Sequence, residues 1–412
     1  MLTGPIARST IHTSTVLGLR LLVQAGTILT IARMLGPESF GAFAGMASLA
    51  VLLGALSSFG TQFVLLSDVS KNPKQSGKIL TYAIPSTLLC GSFLFFIYIG
   101  LNYWLLPRGV IGWAAIGAIG VTEIILQPLF VFLANDQLAR GRVARSQLLI
   151  TVPLLLRFLS AVAVLLVQFS DPLIIYSYCY IAASFLSLLL LSVFFPAPWP
   201  KIRHWRLAKW SEVQHSAGYA AMSLSAMGPS EIDKVLAVKL MSATESGIYA
   251  VSSRVIGAVT LPVIALTLSA LPRLFRSEVE GEKVASRLLG WIFSVTFGYT
   301  VFLGTALWWS APLFADFFGT QYAEAVPIMQ LLCLAVPAMG LRLVSAAILM
   351  TNSRPWTRFF FEFFGMVLFL SFSLLANALF GGGGIPFALV LSEWLMSIAG
   401  IFLVMYLARR QR

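Results

Sequence analysis

Charge is scarce in this sequence. Asp, Glu, Lys and Arg together supply 11% of its 412 residues, less than half of the roughly 25% found in soluble globular domains. With 58% hydrophobic residues and a mean hydropathy of +0.88, a soluble fold is excluded. Cysteine is almost absent as well. Cys90, Cys179 and Cys333 are widely spaced inside apolar runs, which argues against a disulfide framework or a zinc site. They read as small hydrophobes in helix packing. The three histidines, His12, His204 and His215, stand apart and offer no metal cluster. The segment KNPKQSGKI (71–79) is not a P-loop. Asn72 stands where the first glycine belongs, and Ile79 stands where Ser or Thr must hold magnesium. An ATPase is therefore not expected.

What the chain has in abundance is apolar runs of about 20 residues, each long enough to cross a bilayer core of roughly 30 Å. A β-barrel would instead show weakly alternating segments of roughly 10 residues. Twelve helical spans are predicted, at 12–34, 40–66, 79–105, 110–134, 147–168, 172–195, 215–241, 246–270, 288–312, 325–350, 357–379 and 385–408. Arg8 precedes the first run without a small-residue cleavage site, so no removable signal peptide is expected. The net charge of +12 is a topology signal. With the N-terminus inside, 20 of the 28 basic residues fall in cytoplasmic segments and only Arg108 falls in an outer loop. This bias predicts both termini in the cytoplasm, and no nucleic-acid partner is needed to explain it. Trp104, Trp199, Trp308, Trp309 and Trp356 lie near span ends, as an interfacial aromatic belt requires. The longest cytoplasmic connection, 196–212, mixes Trp199, Trp205 and Trp210 with four basic residues. It reads either as a segment on the inner leaflet or as a solvated linker whose tryptophans anchor the adjoining helices. GGGG (381–384) reads as a flexible outer turn.

The sequence echoes itself at half its length. ARMLGPESFGAFA (32–44) and VKLMSATESGIYA (238–250) align at a shift of 206, pairing Arg33 with Lys239, Gly41 with Gly247 and Phe43 with Tyr249. Each stretch reads as the turn between two spans; in the first the turn is Gly36-Pro37-Glu38-Ser39, and Gly41 belongs to the same repeated pattern. The shift carries span 1 onto span 7, so the halves enter the membrane in the same orientation. Repeats of that kind usually enclose a substrate site. The expected architecture is an all-α polytopic membrane protein. It comprises an N-terminal six-helix bundle (1–195), a cytoplasmic linker (196–214) and a C-terminal six-helix bundle (215–412), the bundles facing each other across a cavity.

A charge at mid-span costs roughly 2.5–3.5 kcal/mol on insertion scales, so each is a functional candidate. Those in the first half are Arg20, Glu123 and Arg157. Those in the second are Glu231, Asp233, Lys234, Arg254, Arg342 and Glu393. Arg20, Gln24 and Thr27 are spaced i, i+4, i+7 on one face of span 1, a polar stripe suited to a cavity wall. The basic set suits an anionic head group, because phosphate accepts guanidinium forks bidentately. A structural reading stands beside this one: Arg20 and Arg342 snorkel to the interface, Arg157 pairs with Glu123, and Arg254 neutralises Asp233 or Glu231. Pro128, Pro153, Pro229, Pro262 and Pro337 lie inside spans and read as hinges or as packing kinks.

LGPESFGAFA, DKVLAVKLMSATESGIYAVSSRV and FGTQYAEAVPIMQLLCLAVP (318–337) resemble the Wzx-type polysaccharide flippases of the multidrug/oligosaccharidyl-lipid/polysaccharide exporter superfamily. The resemblance runs over essentially the whole chain. It implies a MATE-like fold in the bacterial inner membrane, and no enzyme. The implied activity is alternating-access movement of an undecaprenyl-pyrophosphate-linked oligosaccharide from the cytoplasmic to the periplasmic leaflet. It also implies a cationic cavity, matched here by Arg20, Arg157, Arg254 and Arg342 with Lys234 and Asp233. Glu123, Glu231 and Glu393 would be coupling groups or charge partners, for H+ or Na+ if an ion drives transport. No other cofactor and no metal are expected. The working unit would be a monomer meeting membrane lipids and polysaccharide-polymerising proteins. Two other functions fit the same residues: an ion-coupled exporter of small amphiphiles, and a membrane polymerase or ligase. The second needs catalytic basic residues in a sizeable outer loop, where Arg108 stands alone.

Overall fold

The structure is a computed structural model describing residues 5–106, 112–195, 199–264, 266–267, 282–351 and 355–410. Among the described residues it is all helix, with short 3₁₀ and π turns and no strand. The principal helices are α1 (Pro5–Ser57), α2 (Thr61–Lys71), α3 (Ser76–Leu105), α4 (Trp113–Gly120), α5 (Gln127–Ala139), α6 (Val143–Val167), α7 (Pro172–Phe194), α8 (Trp210–Leu240) and α9 (Ala243–Val259). They are followed by α10 (Glu282–Ser310), α11 (Ala325–Cys333), α12 (Val336–Thr351), α13 (Pro355–Phe380) and α14 (Ile385–Arg410).

Eight described stretches are long and apolar enough to cross a membrane, or nine if α11 and α12, bent by 45° at their junction, form one span. Two of the eight, of 40 and 52 residues, are far longer than one crossing needs. Gly18–Ser57 is broken at Gly36, and the 52 residues of Trp356–Leu407 include the 3₁₀ turn Gly381–Gly384. At 1.5 Å per residue a straight 52-residue helix would be about 78 Å long, so this stretch is a helical hairpin. The protein is a multi-pass membrane protein. Helix α8 is not among these stretches; its interior carries Glu231, Asp233 and Lys234.

Breaks between helices follow local chemistry. Gly36 has φ 70° and ψ 170°, a conformation other residues resist, and Pro37 opens the following helix. The turn sits at Gly36, inside the expected turn at 36–39, and Gly41 is buried within the second helix of α1. Position 242, which aligns with 36 at the shift of 206, is also a break. Ser242 caps α9 and forms a reciprocal capping box with Glu245. A further break was not expected. The span predicted over 40–66 is interrupted at 58–60, where Phe59 (φ 44°) and Gly60 (φ 76°) turn the chain. A Cβ on Gly60 would stand 2.4 Å from the Ser216 carbonyl oxygen and 2.5 Å from the Ala220 nitrogen, so α8 lies directly against this turn. The GGGG segment is a close-packed turn and not a loose one. A Cβ on Gly382 would stand 2.8 Å from the Leu240 carbonyl oxygen, and one on Gly384 would stand 2.7 Å from that of Ala376.

The chain divides into two compact units, Met1–Met227 and Gly228–Arg412, the boundary falling within α8. In the first unit α1 packs on α6, α6 packs on α5 and α7, and α2 packs on α5. Leu65, Val69, Ile79 and Phe132 centre one apolar cluster there, and Leu126, Phe130, Leu149 and Leu191 centre another. In the second unit α14 packs on α12 and α13, and α12 packs on α10, around Ile292, Val344, Leu349, Phe361 and Met396. Trp104, Trp308, Trp309 and Trp356 are exposed, as an interfacial belt needs.

The segment leading into α8 is fastened to the first unit. Arg206 donates both Nη atoms to the Glu212 carboxylate at 2.7 and 2.6 Å and lies 4.8 Å from the centre of the Tyr82 ring. Its backbone N–H donates to the Thr81 carbonyl at 3.1 Å, and the Ala208 N–H donates to Ser86 Oγ at 3.1 Å. The Arg206 hydrogen bonds, more than any other influence, hold the Glu212 carboxyl below the usual carboxylate range. A depressed folded value makes this contact fully effective above the ordinary glutamate pKa of about 4.3. The contribution is lost as pH falls from there through the folded value. Amide exchange across 199–209 is therefore expected to be slow at neutral pH and to accelerate relative to α3 below about pH 4.3. A uniform response of the two segments would show that the Arg206–Glu212 contact does not hold the strap.

Candidate functional site

Most of the charged candidates on the long helices gather into three buried clusters. The first is built on a defect in helix geometry. Pro128 lacks an N–H donor, and its ring would collide with the carbonyl four residues back, at Ile124. Here the ladder widens into a π turn over Val121–Leu126, carrying Glu123. The neighbouring helices leave room for it with glycine. A Cβ on Gly54 of α1 would stand 2.3 Å from the Glu123 carbonyl oxygen, and one on Gly91 of α3 would stand 3.1 Å from that of Ile124.

Glu123 meets Arg157 of α6, whose Nη1 donates to Glu123 Oε1 at 2.9 Å and to Tyr180 Oη at 3.0 Å. Nε donates to Ser184 Oγ at 3.0 Å and Nη2 to Gln127 Oε1 at 3.3 Å. Tyr180 donates in turn to Glu123 Oε1, and its ring lies 4.2 Å below the guanidinium carbon. Arg157 is 4% exposed, so this guanidinium is fully committed. The structural reading of Arg157 as the partner of Glu123 is the one observed.

The second cluster lies in the other unit. Arg342 of α12 donates through Nη1 to Glu362 Oε2 on α13 at 2.6 Å and through Nε to Glu393 Oε2 on α14 at 2.7 Å. It does not snorkel: at 7% exposure it is as buried as its acids. With Ser392, Pro229 and Met396 the three charged groups line a small pocket that is partly open to solvent. The two clusters tie together the last three predicted spans of their units with opposite polarity. In the first unit the middle helix supplies the cation, and in the second it supplies an anion. Arg157 moved by 206 falls on Phe363, next to Glu362. The repeat thus preserves a place for buried charge and not its sign. Glu362 joins the candidates only through this geometry, although a lone acid within FFFEFF is a sufficient sequence signal.

The third cluster surrounds Asp233 on α8. Lys234 Nζ donates to Asp233 Oδ1 at 3.0 Å and to the Ser230 carbonyl oxygen. Tyr249 and Ser253 of α9 donate to Asp233 Oδ2 at 3.0 and 2.7 Å. Arg254 is not the neutraliser of Asp233. The lysine next in sequence and two hydroxyls fill that role.

The remaining candidates are less committed. Arg20 is half-buried on α1 and donates to the neutral Gln147 Oε1 of α6 at 3.0 Å. Gln24 is exposed, and Thr27 donates to the Val23 carbonyl within its own helix at 2.6 Å. Glu231 is half-buried beside the third cluster. Arg254 is half-buried and, among the described residues, forms no ion pair or hydrogen bond. Four arginines expected to act together are thus of two kinds: Arg157 and Arg342 are neutralised by carboxylates, whereas Arg20 and Arg254 have no carboxylate partner among the described residues.

No family model matches the sequence, and no curated protein does. The fold does match solved structures. A multidrug resistance MATE family transporter of the MOP superfamily in an inward-facing conformation superposes with a TM-score of 0.78 at 11% identity, covering 95% of each chain. An outward-facing structure of the same description gives 0.66 at 12% identity, over 98% of this chain and 96% of the other. A MOP superfamily transporter from Pyrococcus furiosus, described as having a binding pocket of reversed polarity, gives 0.65 at 11% identity over 99% and 97%. The chain has the MATE fold.

Proposed function

We propose that this chain is an exporter that flips an undecaprenyl-pyrophosphate-linked oligosaccharide from the cytoplasmic to the periplasmic leaflet of a bacterial inner membrane, by alternating access and without catalytic chemistry. The observation that carries the reading is the sorting of the arginines. Arg20 and Arg254 are placed within membrane helices with no carboxylate to neutralise them among the described residues, and unpaired charge there is costly unless it has work to do. A pyrophosphate would supply the missing anion, accepting guanidinium forks bidentately. Asp233, Glu123, Glu362 and Glu393 are all engaged by donors, so a coupling H+ or Na+ would compete with those donors for its carboxylate. Solved structures of this fold in inward- and outward-facing conformations support a mechanism that exchanges the two.

A second reading is favoured by a different observation: two of the matching structures are multidrug resistance transporters. An ion-coupled exporter of small amphiphiles would use the same fold. The two readings separate in a deletion strain scored for surface polysaccharide and for drug susceptibility. The flippase reading expects lost glycan display with unchanged susceptibility. Restoration by the wild type and not by Arg254→Ala, at equal protein in the membrane, would support the assignment of Arg254. Heightened drug susceptibility with normal surface glycan would replace the flippase by the amphiphile exporter.

A further inference from the structure

We infer that the strap over 199–210 is a docking surface for anionic lipid head groups. It follows α7 and precedes α8, at the face where α3 and α6 begin and α5 ends, so it lies at one boundary of the apolar spans. Its outward residues combine two chemistries. Ile202 (76% exposed), Leu207 (60%) and Trp210 (73%) project apolar surface, and Lys201, Arg203 and Lys209 are exposed cations interleaved with them. Apolar groups that enter the acyl boundary, beside cations that meet head-group phosphates, are the pattern of interfacial binding.

Three further observations single out an anionic membrane surface as the occupant. First, the strap is preformed: the Arg206–Glu212 fork, the Tyr82 contact and the backbone bonds to Thr81 and Ser86 fix it. Little ordering would be needed on binding. Second, the acids of this face are occupied. Glu212 is held by Arg206, and Asp136 by Arg140 and Ser76; of the acids on α2, α5 and the first turn of α8, Asp68, half-buried on α2, is the one outside an ion pair among the described residues. Third, the adjoining ends at 71–78 and 142–145 add exposed lysines and arginines, so the positive field extends around the strap.

The test uses the full chain in neutral detergent, with Cys90, Cys179 and Cys333 replaced by alanine and an environment-sensitive dye on Ile202→Cys. Micelles doped with phosphatidylglycerol are expected to give a saturable blue shift, and phosphatidylcholine none. The variant Lys201→Gln/Arg203→Gln/Lys209→Gln is expected to need about a hundredfold more phosphatidylglycerol for the same shift. All three side chains are exposed and Arg206 and Glu212 are retained, so folding is not at stake. Equal responses to the two lipids would overturn the inference, as would an unchanged midpoint in the triple variant. Transport activity does not enter the readout, so the result stands or falls apart from the flippase reading.

Discussion

Arg342→Ala is expected to destabilise the second unit by about 3–5 kcal/mol, because it strands two buried carboxylates whose cation has been removed. Both acids lie within 2.7 Å of the guanidinium, and both are largely shielded from solvent. Replacing the whole triad is predicted to behave differently. Arg342→Met/Glu362→Gln/Glu393→Gln removes the charges together, and well-packed neutral replacements of buried ion clusters are often close to neutral in stability. Unfolding of purified protein in micelles should therefore rank the wild type near the triple variant, with Arg342→Ala far below both. If the single and triple variants fell equally far, the damage would be lost packing, and the buried charges would not be a coupled set.

The second large effect concerns a residue with no side chain. Gly54→Ala is expected to destabilise the first unit by about 1–3 kcal/mol or more, the range of overpacked cores. The new Cβ would stand 2.3 Å from the Glu123 carbonyl oxygen. Backbone on both sides forms this contact, so no side-chain rotation relieves it. Gly100→Ala on α3 is the matched control. Nothing lies within 4 Å of its added Cβ, and in a helix the exchange is expected to be neutral or to stabilise by about 0.5–1 kcal/mol. Thermal unfolding of the pair checks both signs. A Gly54→Ala protein as stable as the Gly100→Ala one would mean that α1 and the π turn do not meet backbone to backbone.

How much of this could be read from the chain depends on the range of the interaction concerned. Helices were legible because an apolar run has little alternative in a bilayer, where backbone groups must be satisfied within the segment. The break at Gly36 was legible because Gly-Pro is a local signal. The break at 58–60 was not: it depends on α8 packing against Gly60, more than 150 residues away in sequence. The π turn at 121–126 was half legible, since Pro128 was recognised as a disturbance but not as the cause of a widened turn carrying Glu123. Among the charges, opposite signs on adjacent predicted spans led correctly to Arg157 and Glu123. Asp233 and Lys234 were not paired in advance, because neighbours in sequence do not face each other on a helix. The long lysine stem nevertheless reaches both Asp233 and the Ser230 carbonyl. Sequence marked where charge sits in the membrane, and packing decided which charges are spent.

That division is also the functional claim, and it is tested most directly by transport in a defined system. Proteoliposomes would carry a fluorescent undecaprenyl-pyrophosphate-linked oligosaccharide, with the label read by an impermeant quencher. Wild-type protein is predicted to move label between leaflets well above the rate of protein-free vesicles. Arg254→Ala, correctly folded, is predicted to lower that rate about tenfold or more, the worth of a hydrogen bond to a charged group. A rate equal to that of protein-free vesicles, or one that Arg20→Ala and Arg254→Ala both leave unchanged, would contradict the account.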